Sequence, residues 1–188
     1  MSCIRAFLIA GNDTTAAALA NMMLILATQP EIARQLYQYA DDERAVSRFV
    51  EEILRLEPPS HGLFRTTTKE VELGGKTLPA YAQICILFAS ANDDEAQFPC
   101  PRNLDITRGN VANHLTFGAG IHRCVGAALA RMEIKVAAQE IIKRLDNINL
   151  AIPVEELTYL PTVATHTLSR LPLTFCGRAE PPSGSAKR

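Results

Sequence analysis

Residues 117–126 restrict the fold and chemistry of this 188-residue chain more than any other segment. They read F-G-A-G-I-H-R-C-V-G, a glycine-loosened loop that brings Cys124 to the N-terminal end of a predicted helix. The positive end of a helix dipole and its free N–H groups favour a thiolate there, and a thiolate can ligate a metal ion. Gly118 and Gly120 allow sharp turns, and Gly126 leaves room for a flat group against the first helical turn.

The cysteine count argues against a disulfide framework. Five cysteines form an odd total without a C-x-x-C pair, which fits neither a disulfide scaffold nor a zinc site. This usage favours a reducing compartment, so we expect a cytoplasmic protein. A lone cysteine is usually buried and inert, which is our interpretation of Cys3, Cys85, Cys100 and Cys176. The pattern around Cys124 reverses that interpretation for this residue.

Composition excludes a nucleic-acid surface. The chain has 19 Lys and Arg against 20 Asp and Glu, a net charge of −1, where a nucleic-acid-binding face needs a basic excess. Trp is absent and aromatic residues make up only 6%, so base stacking has little to use. The hydrophobic fraction of 47% is ordinary for a folded domain.

Hydrophobic periodicity predicts a mainly α fold with small antiparallel β-sheets, the α+β class. A long apolar helix is expected over residues 3–27, a short helix from Pro30 through Tyr37, and two amphipathic helices. The apolar face of the first amphipathic helix consists of Val46, Phe49, Val50, Ile53 and Leu54. The second is predicted to be strongly amphipathic and to run to Arg144, and its apolar face consists of Val125, Ala128, Leu129, Met132 and Val136. A hairpin is predicted at Gly74-Gly75, strands over 84–89, 148–152 and 171–175, a loop over 92–120, and a disordered tail over 179–188.

The long apolar helix is interrupted by the polar residues 12–15. An ionised Asp near the centre of a membrane span costs about 2.5 to 3.5 kcal/mol, so we expect no span here but a helix buried on most sides. Gly11, Asp13 and Thr14 each destabilise a buried helix, through backbone entropy for the glycine and burial of a polar group for the other two. Several destabilising residues within one helical turn are typical of a functional site. The alternative is a polar turn that faces solvent.

Several other polar residues have ordinary interpretations. Glu52 and Arg55 lie three residues apart on a predicted helix, a spacing that is common on exposed helices. His114 and His166 are interpreted as surface or loop residues. The acidic runs 41–43 and 93–95 are interpreted as solvated turns or helix starts, because their spacing fits no calcium loop.

Taken together, these features resemble the C-terminal half of a cytochrome P450, a haem-thiolate monooxygenase, in the style of the soluble bacterial members. Residues 114–133 read H-L-T-F-G-A-G-I-H-R-C-V-G-A-A-L-A-R-M-E, which follows the cysteine signature of that family at every motif position. The resemblance extends over about residues 7–175. It implies a partial P450 domain over 1–178 with the C-terminal, haem-binding half of that fold.

The resemblance implies a role for each motif residue at the cofactor. Cys124 would be the proximal ligand of the iron of haem b, a thiolate that pushes electron density toward bound dioxygen. Phe117 would lie near the sulfur, and Gly118 and Gly126 would allow backbone and haem to approach. His122 and Arg65 match residues that pair with the haem propionates.

Further roles follow from the same resemblance. Glu52 and Arg55 match a structural ion pair, with Arg102 as the expected third member of the network. Asp13 and Thr14 match the acid and alcohol of a catalytic proton relay. Four positions match segments that line the substrate, namely Ala10, His61, Leu63 and Thr165.

The implied activity is insertion of one oxygen atom of O₂ into a small organic substrate, with electrons from NAD(P)H through a ferredoxin or a reductase. Arg123, Arg131 and Lys135 would flank the face that meets an acidic redox partner, or they form an ordinary solvated face. Members of the family are about twice as long as this chain. The alternative function is therefore a non-catalytic haem-binding fragment that needs its missing N-terminal half as a partner.

Overall fold

The computed structural model describes residues 2–178, in which five α-helices and six short strands form the regular structure. The helices are α1 (Cys3–Thr28), α2 (Pro30–Gln38), α3 (Glu43–Leu56), α4 (Phe88–Asn92) and α5 (Ala127–Arg144). The strands are β1 (Gly62–Thr66), β2 (Val71–Leu73), β3 (Lys76–Leu78), β4 (Gln83–Leu87), β5 (Leu145–Leu150) and β6 (Leu173–Gly177). This arrangement confirms the predicted mainly α class with small antiparallel sheets, whereas the predicted tail over 179–188 lies outside the described residues.

Helix α1 is apolar along most of its length but is buried only in its second half. Ser2 caps the helix, because its hydroxyl accepts a hydrogen bond from the N–H of Arg5 at 3.4 Å. Residues 3–13 are exposed. The buried residues are Ala17, Ala18, Asn21, Met22, Ile25 and Leu26. The prediction of a helix buried on most sides is therefore wrong, because the described neighbours α2, α3, α5 and β5 leave its first half uncovered.

Among residues 2–178, no individual helix combines the length and the apolar character needed to cross a bilayer. Helices α1 and α2 meet that requirement only when they are taken together, and the chain bends by 105° between them.

Helix α3 is the amphipathic helix that the sequence predicts. Its first turn is capped by Asp42, whose carboxylate accepts hydrogen bonds from the N–H groups of Arg44 and Ala45 at 2.9 and 3.1 Å. The helix ends at Leu56, just before the Pro58-Pro59 pair. The predicted apolar face is fully buried and consists of Val46, Phe49, Val50, Ile53 and Leu54.

Three two-stranded antiparallel sheets accompany the helices. Strands β2 and β3 form the predicted hairpin, in which Gly74 and Gly75 have φ of +58° and +73°. Strand β1 pairs with β4 so that Arg65 lies opposite Ile84. Strand β5 directly follows α5 and pairs with β6 near the C-terminal end of the described chain.

Helix α5 carries apolar residues on two faces, of which one is buried. Its buried residues are Ala127, Ile134, Ala138 and Ile142. At about 100° per residue, Leu129, Met132 and Val136 project from the opposite side of the helix. These three residues, the outer stripe of α5, are 51–57% exposed. The predicted strong amphipathicity is therefore wrong, because the apolar pattern that the sequence displays most clearly is the exposed one.

One hydrophobic core joins α1, α2, α3, α5 and β5. Its largest buried members include Met22, Leu36, Phe49, Ile134 and Ile148. Because α3 and α5 pack against each other in this core, the segment that carries Glu52 and the helix that follows Cys124 are held in one rigid unit.

Candidate functional site

The cysteine loop, residues 117–126, is a folded turn that leads into α5. Gly118 and Gly120 have φ of +65° and +66°, in the left-handed region that glycine occupies without steric cost. The amide N–H of Cys124 donates a hydrogen bond to the carbonyl oxygen of Phe117 at 2.8 Å, which closes the loop. Residues Gly120–His122 form a single 3₁₀ turn between these two ends.

The thiol of Cys124 lies on the surface at the N-terminal end of α5. Cys124 is exposed, and its carbonyl oxygen accepts a hydrogen bond from the N–H of Ala127, the first residue of the helix, at 3.4 Å. The other four cysteines are exposed as well, so their interpretation as buried residues is wrong: Cys3, Cys85, Cys100 and Cys176. The 18-residue helix directs the positive end of its dipole and its free N–H groups to this end, where negative charge on a sulfur is stabilised. The helix begins two residues after Val125, so the cysteine belongs to the loop.

Two glycines keep space open around this loop. A Cβ at Gly126 would lie 3.9 Å from Sγ of Cys124, and a Cβ at Gly118 would lie 3.9 Å from Cζ of Phe88. Ile121 and Val125, which flank the cysteine, are 97% and 83% exposed. An exposed thiol with a small residue beside it and bare apolar neighbours fits a flat apolar group that carries a metal at its centre.

Two basic side chains are candidates for holding the carboxylates of such a group. His122 ends the 3₁₀ turn of the cysteine loop and is exposed. Arg65 lies on β1 and is exposed, and its Nη1 donates to the carbonyl oxygen of Phe64 at 2.8 Å. One cysteine ligand together with exposed basic donors fits an iron porphyrin, whose iron accepts a thiolate and whose propionates need hydrogen-bond donors.

Glu52 and Arg55 form a fully buried ion pair on α3. Arg55 Nε donates to Oε1 of Glu52 at 2.7 Å and Nη2 donates to Oε2 at 3.1 Å, with both side chains 0% exposed. Arg55 also donates to the carbonyl oxygens of Asn92 and Asn103 at 3.0 and 3.3 Å. The N–H of Asp105 donates to Oε2 of Glu52 at 2.8 Å. The pair therefore fastens α3 to the loop that precedes the cysteine loop.

The third member of this network is Arg108, and the prediction of Arg102 is wrong. Arg108 is 7% exposed in its side chain, and its Nε lies 3.2 Å from Oε1 of Glu52. Arg102 is 61% exposed and pairs instead with Asp93 and Glu57 at 3.0 and 3.3 Å. Both arginines are in the same loop, and only the folded path of that loop directs Arg108 inward.

Asn92 connects α3 with the residues just before the cysteine loop. Its side-chain amide donates to the carbonyl oxygen of Arg55 at 3.1 Å and to Oγ1 of Thr116 at 3.0 Å, and its Oδ1 accepts from the N–H of Leu115 at 2.7 Å. Thr116 in turn donates to the carbonyl oxygen of Leu54 at 2.7 Å. No motif in the sequence pointed to Asn92, whose only signal is its position at the end of a short apolar segment.

His114 lies in a loop, as expected, but it is buried there and does not lie on the surface. The residue is 6% exposed, and its Nε2 lies 3.0 Å from Oε2 of Glu51. Its ring lies beside that of Phe117, with centroids 5.9 Å apart. Sequence alone offered no signal for this burial, because the partner Glu51 lies on α3, far away along the chain.

Asp13 and Thr14 lie on the sparsely covered half of α1. The hydroxyl of Thr14 donates to the carbonyl oxygen of Ala10 at 2.7 Å, a backbone contact of the kind that bends helices. Asp13 is exposed, and its Oδ1 accepts a hydrogen bond from the side chain of Asn12 at 3.1 Å. Within the described part of the chain, no side chain is within 4 Å of a Cβ built at Gly11, so this turn of the helix has open space beside it.

His61 and Thr165, two of the four substrate-lining candidates, belong to neighbouring segments. The N–H of His61 donates to the carbonyl oxygen of Ala164 at 2.8 Å, and Ser60 forms a bridge with Thr165. Leu63 lies two residues after His61 on β1 and is 42% exposed, whereas Ala10 is exposed on α1.

A cleft of about 410 Å³ lies beside the end of α3, lined in part by Glu57, Asp93 and Arg102. Within it the ring of His166 stacks on His61 and on Tyr159, with centroids 4.5 and 3.9 Å apart. Burial lowers the pKa of both imidazoles, and for His61 the neighbouring His166 lowers the pKa further. His166 is thus a half-buried loop residue within a stack of rings.

Comparisons with known proteins agree with this geometry. A sequence model described as Cytochrome P450 matches residues 1–150. The vitamin D(3) 25-hydroxylase of Pseudonocardia autotrophica is 38% identical over 173 residues, which cover 92% of this chain and 42% of that protein. The cytochrome P450 monooxygenase PikC of Streptomyces venezuelae is 35% identical, with 89% of this chain and 40% of that protein covered.

The fold is also that of solved bacterial P450 structures. Cytochrome P450 CYP109Q5 from Chondromyces apiculatus matches with a TM-score of 0.83 and 38% identity over 93% of this chain and 44% of that one. The chain thus spans less than half the length of these relatives. The matched region includes the cysteine loop, the buried Glu52–Arg55 pair and all of α1. The chain belongs to the cytochrome P450 family.

Proposed function

We propose that this chain is the haem-binding part of a haem-thiolate monooxygenase, which inserts one oxygen atom of O₂ into a small organic substrate. The observation that carries the proposal is the exposed thiol of Cys124 at the N-terminal end of α5, with Gly126 leaving open space beside it. The monooxygenase and hydroxylase relatives support the reaction class. The five free cysteines favour a cytoplasmic location.

Each residue of the site would contribute in its own way to cofactor binding. Cys124 would ligate the iron of haem b, and Arg65 and His122 would hold the propionates through charge-assisted hydrogen bonds. Phe117, Gly118 and Gly126 would shape the surface next to the sulfur. When bound, the haem supplies activation of O₂ with electrons that come from NAD(P)H through a ferredoxin or a reductase.

Asp13 and Thr14 would move protons toward the reacting centre. The carboxyl group of Asp13 is exposed and can take up a proton from solvent. The hydroxyl of Thr14 can accept one hydrogen bond while it donates another, and it is held against α1 by its bond to the carbonyl oxygen of Ala10. Ala10, His61, Leu63 and Thr165 would contact the substrate.

A second function is supported by the exposed apolar surface. Ile4, Phe7 and Leu8 on α1 are 62–73% exposed, and the outer stripe of α5 is more than half exposed. Surfaces of this kind are typical of a missing partner. The alternative is therefore a haem-binding fragment that becomes catalytic only with an N-terminal half.

The ligand assignment is tested by adding haem to the purified chain, reducing it under carbon monoxide and recording the spectrum. We expect a strongly red-shifted Soret band, the signature of thiolate ligation, that is lost in Cys124→Ala. The matched control is Cys176→Ala, since Cys176 is also exposed but lies on β6. Absence of the shifted band in the wild type, both alone and joined to the N-terminal half of a bacterial P450, would overturn the proposal.

Measurement of substrate oxidation distinguishes a monooxygenase from a haem-binding fragment. NADPH-driven oxidation with a generic redox partner by the chain alone favours a complete monooxygenase. Activity only after joining to an N-terminal half favours the fragment. In the active form, Asp13→Asn is expected to keep the spectrum and to slow turnover, whereas Asp41→Asn, which removes an exposed carboxylate outside α1, leaves both unchanged.

A further inference from the structure

We propose that Glu51, His114 and Arg131 form a positioning cluster that holds the cysteine loop through Phe117. The cluster joins α3, the segment before the loop and α5 at one point. Its relevance to haem ligation depends on the proposed role of Cys124, but its effect on the loop is a property of the chain itself.

The first part of the cluster is a two-pronged ion pair between α3 and α5. Arg131 Nε donates to Oε1 of Glu51 at 2.6 Å, and Arg131 Nη2 donates to Oε2 at 3.0 Å. The side chains are 27% and 15% exposed, so solvent screens the pair only partly. Paired donors facing both carboxylate oxygens fix the plane of the guanidinium as well as its position.

His114 completes the cluster at Oε2, the carboxylate oxygen that Nη2 of Arg131 also binds. Its side chain is 0% exposed, and Nε2 lies 3.0 Å from Oε2 of Glu51. Its Nδ1 accepts a hydrogen bond from the N–H of Thr116 at 3.3 Å. Since an ionised carboxylate can only accept, Nε2 is the nitrogen that carries the proton in this arrangement.

The oriented guanidinium lies on the ring of Phe117. Cζ of Arg131 is 4.3 Å from the centroid of that ring, and the ring of His114 is 5.9 Å away on a tilted plane. A cation–π contact stabilises most when the guanidinium is held in place over the face of the ring. The carbonyl oxygen of Phe117 accepts the hydrogen bond from the N–H of Cys124. A continuous set of contacts therefore runs from Glu51 to the backbone of Cys124.

This cluster differs from an ordinary surface pair on the same helix. One turn further along α5, Lys135 reaches Glu43 at 3.0 Å, but Glu43 is 77% exposed and the pair contacts no aromatic ring among the described residues. Partly buried charges carry a desolvation cost, and well-packed apolar residues of similar size often replace them without loss of stability. The Glu51 cluster therefore differs in what it positions: it places a guanidinium over the ring of Phe117, whose carbonyl oxygen holds the amide of Cys124.

The test measures amide hydrogen exchange by NMR in the full chain without haem. In Arg131→Met, we expect the exchange of the Cys124 amide to accelerate about tenfold or more beyond any acceleration of core amides such as that of Ile142, which report global unfolding. The matched control is Lys135→Met, which removes a cation from the same helix and leaves the Cys124 amide unchanged. The proposal is overturned if Arg131→Met folds and the Cys124 amide exchanges at the wild-type rate.

Conservative variants distinguish positioning from general stability. Arg131→Lys can keep a single contact with Glu51 but cannot cover the ring, so its Cys124 amide should exchange faster than wild type and slower than in Arg131→Met. Glu51→Gln should shift the ¹⁵N resonances of the His114 ring, which report its hydrogen bonds. If Arg131→Met does not fold, Arg131→Lys provides the same comparison, and an unchanged exchange rate there rejects the cluster.

A parallel measurement separates this inference from the proposed function. Where the wild type binds haem through Cys124, the reduced carbon monoxide band of Arg131→Met should lose its red shift in part while that of Lys135→Met keeps it. Where the wild type takes up no haem but the amide effect is present, the positioning inference stands and the proposed function fails. Haem ligation through Cys124 without any amide effect supports the proposed function and rejects the positioning inference.

Discussion

The carboxylate of Glu52 is shared by two arginines that come from different parts of the chain. Arg55 binds both of its oxygens from one turn along α3, and Nε of Arg108 lies 3.2 Å from Oε1 without being directed at it as a hydrogen bond. The remaining N–H groups of the two arginines donate hydrogen bonds to backbone carbonyl oxygens, namely those of Asn92, Pro99, Cys100 and Asn103. Helix α3 is thereby locked to the loop that leads into the cysteine loop.

Replacement of the buried Arg108 should therefore lower the free energy of unfolding far more than replacement of the exposed Arg102. We expect Arg108→Met to lower the free energy of unfolding by about 3 kcal/mol, since it strips several polar contacts from a buried network. Arg102→Met should change it by less than about 1 kcal/mol, because both of its ion pairs are largely exposed. Urea unfolding of the two variants measures the difference, and equal effects would contradict the assignment of Arg108 to the network.

Truncation of a side chain should lower the free energy of unfolding strongly on the buried face of α5 and only slightly on its exposed face. Ile134 is 1% exposed in the core, so Ile134→Ala should cost about 2 to 5 kcal/mol through lost burial and the cavity left behind. Met132 is 57% exposed on the outer stripe, so Met132→Ala should stay within about 0.5 kcal/mol. Thermal and urea unfolding of the two single variants test this. A large loss in Met132→Ala would mean that the outer stripe is covered in solution.

Glu51 should contribute to stability against acid. Burial alone would raise the pKa of Glu51, but hydrogen bonds from His114 and Arg131 outweigh it and lower the pKa to about 2. Because this carboxyl binds a proton less readily in the folded state, its contribution is complete above about pH 4.5 and is lost as the pH falls through about 2. The contribution is at most about 3 kcal/mol.

The measurement for this prediction is the stability difference between wild type and Glu51→Gln at a series of pH values. That difference should shrink as the pH falls below about 4.5. Glu43→Gln is the control, because the carboxylate of Glu43 is 77% exposed and should show little such dependence. A difference that stays constant down to about pH 2 would rule out a lowered pKa at Glu51.

The stacked histidines should make the chain sensitive to mild acid. Burial lowers the pKa of His61 and His166, and Glu57, 3.9 Å from Nδ1 of His166, is too distant to hydrogen-bond the charged form. Since the unfolded chain takes up these protons at higher pH, stability is complete above about pH 6.5 and declines as the pH falls below it.

His166→Phe tests this pH dependence, because it keeps an aromatic ring in the stack and removes one of the titrating groups. We expect a smaller loss of stability between about pH 7.5 and 5.5 than in the wild type. His122→Phe is the control, since His122 is exposed and should leave the pH profile unchanged. Identical profiles for His166→Phe and wild type would show that the stack does not titrate in this range.

Local features of the chain could be predicted because neighbours in sequence determine them. The Gly74-Gly75 turn requires positive φ that glycine supplies, and the hairpin is present. The periodicity of residues 46–54 matches the buried face of α3, and Asp42 and Pro58 mark its ends. The cysteine loop was likewise evident from its glycines and from the helical pattern that follows them.

Long-range contacts were decided only by the tertiary structure. Two arginines of the same loop are candidates for pairing with Glu52 by sequence, and the path of the loop places Arg108 beside it while Arg102 pairs with Asp93. It presents two apolar faces on α5, and packing against α1 and α3 selects the one with Ile134. His114 is buried for the same reason, because its partner lies on another helix. Sequence periodicity therefore predicted the long helices, and the glycines predicted the cysteine loop. It did not predict α4, whose first two residues were expected to end a strand over 84–89. The choice among chemically equivalent side chains depended on contacts between residues far apart in the chain.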